Sequence, residues 1–91
     1  MTRPELTEFT LRLTNPGANL KTVVLEPWTG EYRLLPGGSL DVVVRGTPAT
    51  PLEVQIEGET ITVFAFDTTD AMLTAYRDGR ELKSEHERPA V

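Results

Sequence analysis

Apolar side chains in this chain recur at every second position, in short bursts separated by clusters of Gly, Pro, Asn and Asp. That rhythm belongs to a pleated strand with one face against a core, because successive side chains of a strand point to opposite sides. Phe9, Leu11 and Leu13 alternate with Thr10, Arg12 and Thr14, and Asn15-Pro16-Gly17 then supplies turn chemistry. Leu20 to Leu25 reads as a second strand, halted at Pro27, which lacks the ladder donor. Tyr32 and Leu34 alternate with Glu31 and Arg33 before Pro36-Gly37-Gly38 breaks the chain. From Ser39 to Arg45, Leu40, Val42 and Val44 share one face. Thr47-Pro48-Ala49-Thr50-Pro51 is a stiff connection, since each proline restricts itself and the residue before it.

The second half repeats the pattern. Leu52, Val54 and Ile56 alternate with Glu53, Gln55 and Glu57, and Gly58-Glu59 permits a tight reversal into Thr60 to Phe66. Asp67-Thr68-Thr69-Asp70 is a connecting loop. Ala71 to Arg77 and Arg80 to Lys83 flank Asp78-Gly79, a dipeptide suited to a type I′ hairpin. Residues 71–77 are also long enough for two helical turns capped by Asp70. The hairpin signal directly after them favours a strand. Seven or eight short strands at this spacing predict an all-β fold, a single antiparallel β-sandwich spanning residues 9–83. Residues 1–8 are expected to be a flexible lead-in and residues 84–91 a disordered tail.

With 91 residues there is room for one core and no second domain. Cysteine is absent, which removes disulfides, thiolate metal sites and a thiol nucleophile together. A net charge of −5 argues against nucleic acid as a partner, which needs clustered Lys and Arg. No stretch approaches the about 18 continuous apolar residues of a membrane helix, and no secretory leader is visible at Met1 to Glu8. A cytoplasmic protein without membrane contact is the expectation.

Reaction chemistry finds little support. The lone histidine, His86, sits in the charged tail without an orienting partner, and Ser39 lacks the closing glycine of a nucleophile elbow. Asp67 and Asp70 bracket one loop, but such residues commonly fold their own turn, and no phosphate-cradling Gly-Lys-Ser/Thr follows Gly37-Gly38. A carboxylate hydrolase drawing on Glu26, Glu31, Asp41, Asp67 and Asp70 would need a cleft that a chain of this size hardly offers. The expectation is a protein that is not an enzyme and holds neither cofactor nor metal.

Binding is better served. Leu25-Glu26-Pro27-Trp28-Thr29-Gly30-Glu31-Tyr32 contains the only Trp, a Tyr four residues later and two carboxylates around a reversal. One reading makes Glu26, Trp28, Glu31 and Tyr32 a recognition patch with stacking aromatic faces; the other folds Trp28 back as a plug over the core. A second candidate lies on the outward phase of the strands. There Val24, Val43, Phe64 and Phe66 form an interface if they cluster, or a register shift turns part of the set inward.

The same segment, continued through Leu34 and Pro36-Gly37, resembles a motif of small bacterial proteins in which a Leu-Glu-Pro-Trp-Gly core precedes a tyrosine strand and a Pro-Gly turn. The likeness runs from Phe9 to about Leu82 and includes the Tyr76-Arg77-Asp78-Gly79 hairpin, with Thr29 inserted between Trp28 and Gly30. It implies a β-sandwich of immunoglobulin-like or cupredoxin-like outline and carries over no catalytic residues. Copper is at odds with one His and no Cys. The reading is therefore a non-enzymatic binding or protein-interaction module, self-associating or engaging another protein. Carbohydrate or small-ligand binding on a Trp28/Tyr32 platform is the alternative.

Overall fold

Turn residues divide the chain where the alternation predicts. In the computed structural model, which describes residues 6–28, 30–48 and 50–83, eight strands and no helix are formed. They are β1 (Thr7–Thr14), β2 (Lys21–Glu26), β3 (Gly30–Leu34), β4 (Ser39–Gly46), β5 (Glu53–Glu57), β6 (Thr60–Phe64), β7 (Met72–Arg77) and β8 (Arg80–Glu81). Residues 72–77 are strand, and Asp78 (φ 53°) and Gly79 (φ 78°) both take the left-handed backbone of the hairpin turn read from the sequence. Thr7 and Glu8, expected in the flexible lead-in, belong to β1 and pair with Gly46 and Arg45. Leu6 of that lead-in is exposed, and its residues 1–5 and the tail at 84–91 with His86 lie outside the described residues.

The strands assemble into two four-stranded sheets, β1-β4-β7-β8 and β3-β2-β6-β5. Five pairings are antiparallel, but β2 and β6 run parallel, with Thr22 opposite Thr60 and Glu26 opposite Phe64. The purely antiparallel expectation therefore needs correcting at this pair. Hairpin turns determine only neighbouring strands; β2 and β6 meet because Val23 and Leu25 fall in step with Ile61 and Val63, all four buried.

One buried cluster draws on both sheets: Val23, Leu25 and Leu34 from one, Leu40, Val42 and Val44 from the other, each at most 2% exposed. Every one of these lies on the inward phase read from the alternation. At roughly 1.5–3 kcal/mol for each large apolar side chain removed from water, this cluster is the main source of stability.

Two local devices close the ends. Asn15, 1% exposed, follows β1, and its Nδ2 donates to the carbonyls of Asn19 (2.7 Å) and Leu34 (2.9 Å). Its Oδ1 accepts from the Gly17 N–H (3.1 Å), which folds the Asn-Pro-Gly turn. At the other end Gly46 has φ 149°, and a Cβ there would come within 3.0 Å of the Ala71 Cα and 3.2 Å of the Phe66 ring. Only glycine leaves room for Phe66 to lie over this backbone.

Candidate functional site

The loop after β2 and the loop after β6 emerge side by side because those two strands are parallel neighbours. The Ala65 N–H continues the pairing by donating to the Glu26 carbonyl at 3.0 Å. Between these loops lies an open hollow of about 410 Å³. Glu26, Pro27 and Trp28 form its wall from the first loop, and Phe64 to Thr68 with Ala71 form the rest. Its volume falls within the range of small-ligand sites, and its lining is mainly apolar with Glu26 and Asp67 as its acidic residues.

Trp28 is 49% exposed, so it does not plug the core. Tyr32 behaves in the opposite way. It is 8% exposed, its ring lies against Gly30, and burial followed by the nearby Glu81 charge raises its phenol pKa. The anticipated Trp28/Tyr32 platform does not exist. Tyr32 shares the phase of Leu34 and opposes Val23 across the ladder, which directs it inward. Glu31 opposes Val24 on β3 and does not line the hollow.

The anticipated interface set is also divided. Val24 and Phe64 occur in one sheet and Val43 in the other, all three partly buried. Phe66 is buried at 6% and packs against Phe9, with ring centroids 6.5 Å apart and planes at 59°. The reason is that β6 ends at Phe64, and the next residues leave the pleat. Phe66 carries a backbone turn in which its carbonyl accepts from the Thr68 N–H at 2.8 Å. The structure thus brings Glu26 and Trp28 from one candidate set together with Phe64 and Phe66 from the other. The contributions of Pro27, Thr68 and Ala71 were missed, because only the non-local β2–β6 pairing brings the two loops together.

The remaining acids do not converge on this hollow. Asp41 is paired with Arg12, whose Nε and Nη2 donate to its two oxygens at 2.7 and 3.0 Å; that hydrogen bonding lowers the Asp41 pKa. Asp70 accepts from the Thr47 hydroxyl (2.6 Å), the Thr47 N–H (3.1 Å) and the Thr68 hydroxyl (2.8 Å). Those bonds hold its pKa down at about 2, so it serves as a tie between loops. Among the described residues, no group of three or more His, Cys, Asp and Glu is placed to hold a metal ion, and no helix is long and apolar enough to cross a membrane. Comparison with protein-family models, curated proteins and solved structures finds no match for this chain.

Proposed function

We propose that this protein is a non-enzymatic interaction module that recognises a partner protein by taking a Lys or Arg side chain into the Trp28 hollow. One observation carries the reading: Trp28 is left 49% exposed on the wall of a mainly apolar hollow that Glu26 and Asp67 also line. A cation over an indole face is attracted by the ring quadrupole, worth about 0.5–2 kcal/mol, and the carboxylates add charge complementarity. The net charge of −5 favours approach of such a segment. A cytoplasmic location is part of the same proposal.

The fold reading is part of the proposal. Two four-stranded sheets sharing one buried cluster support a single β-sandwich, as the resemblance to small bacterial proteins implies. Its parallel β2–β6 pair departs from the purely antiparallel sheets of the immunoglobulin-like outline, the other outline that the resemblance implies being cupredoxin-like.

Because Trp28 is the only tryptophan, its fluorescence reports the hollow directly. Titration with a short Lys/Arg-rich peptide is expected to shift the emission, and Glu26→Gln with Asp67→Asn to weaken binding about tenfold. Calorimetry with Trp28→Ala should show comparable loss. A peptide that leaves the emission unchanged, or binds the variants equally well, overturns the reading. A response to a neutral oligosaccharide instead supports the alternative of sugar stacking, now on Trp28 alone.

A further inference from the structure

β1 is the outer strand of its sheet, paired with β4 on one side, and at eight residues it is long for an edge. An outer strand of this kind offers a row of backbone donors and acceptors to another strand. The other outer strands are less suited to pairing with their own copies. β8 has two residues. On β3, the Arg33 carbonyl already accepts from the Arg77 side chain. On β5, two copies arranged antiparallel about Gln55 would set Glu53 against Glu57, a like-charge pair.

β1 is self-complementary. Two copies arranged antiparallel about Thr10 set Glu8 opposite the partner's Arg12 and Arg12 opposite the partner's Glu8, with Phe9 facing the partner's Leu11. Arg12 is 68% exposed and spends only Nε and one Nη2 contact on Asp41, so its fork has N–H groups left for a second carboxylate. Apolar surface lies along the same strand and along the outer strand of the other sheet. Leu6, the residue before β1, is 53% exposed and Phe9 38%, while Val54 (39%) and Ile56 (72%) on β5 share the phase of buried Val63 and Ile61.

We propose that the chain forms a two-fold dimer by antiparallel β1-to-β1 pairing about Thr10, registered by two Glu8–Arg12 pairs. The contact is isologous, so it closes at two copies and does not propagate. No β1 residue lines the Trp28 hollow, which the strand adjoins through the Phe9–Phe66 contact, and the dimer goes beyond the function proposed above.

Sedimentation of the full chain tests this. The mass is expected to rise from 10.1 kDa towards twice that value with concentration. Glu8→Arg sets Arg against Arg, and Arg12→Glu combined with Asp41→Asn sets Glu against Glu; each should weaken the dimer about tenfold. Mixing the two variants makes every cross-strand pair unlike again and should restore association between them. Circular dichroism checks that each variant keeps its strands, and Glu8→Gln, expected to weaken the dimer about threefold, stands in for one that does not. A wild-type chain that stays monomeric up to about 1 mM overturns the proposal. So does a dimer indifferent to these substitutions. Trp28→Ala should leave the dimer unchanged, which separates this outcome from that of the peptide titration.

Discussion

Asp70 is fixed in place without being buried. Three hydrogen bonds from Thr47 and Thr68 stabilise its ionised form and lower its pKa from 3.8 to about 2. A depressed carboxylate pKa means that the unfolded chain binds the proton more readily. The stabilisation is therefore complete above the ordinary value and disappears as pH falls through 3.8 towards 2. Melting temperatures of the wild type and Asp70→Asn should accordingly differ at neutral pH and converge across that acid window. A gap unchanged in acid would show that the carboxylate charge is not the source. The sequence made Asp70 a turn residue, which its bond to Thr68 fits; Thr47, 23 positions away, was not legible. Tyr32 and Trp28 teach the same lesson. Tyr32 alternates in step with Leu34, so its burial was readable, whereas Trp28 falls in a loop where no periodicity applies.

At the scale of elements, β5 and β6 show what alternation encodes and what it leaves open. Val54 opposes Val63 and Ile56 opposes Ile61, so all four point to the same side of their sheet, as the pattern predicts. Yet Val63 is 0% and Ile56 72% exposed. Phase follows from the pleat; cover depends on what packs over that stretch of the sheet, and no local signal carries that information. The energetic contrast follows. In urea titrations of dilute chain, Val63→Ala should cost about 2 kcal/mol and Ile56→Ala less than about 0.5 kcal/mol. Similar losses at both positions would mean that β5 is covered in solution. Phe66 departs from its expected phase for a related reason: β6 stops two residues earlier than the apolar run, and the turn at Thr68 redirects the ring inward.

For the molecule as a whole, the number and type of strands were legible, and the partnering across sheets was only partly so. Asn15 ties the two sheets together. Its side chain donates to Leu34 of β3, while its backbone N–H donates to the Gly38 carbonyl (3.0 Å) and its carbonyl accepts from the Gly37 N–H (2.7 Å), just before β4. Asn15→Ala strands the buried Leu34 carbonyl and is expected to destabilise the fold by about 2–3 kcal/mol, read from the urea midpoint. Asn15→Asp, which keeps the acceptor but loses both donors, should not rescue it. The parallel pairing of residues 22 and 60 has a further consequence. Strands β3, β4 and β5 are strung between β2 and β6, with β4 in the other sheet, so the second sheet cannot be completed until the chain has visited the first and come back. The slow step in acquiring structure is then the return of a distant segment, and a nascent chain cut short before β6 can form the β1–β4 pair but holds only a β2–β3 ribbon of the second sheet.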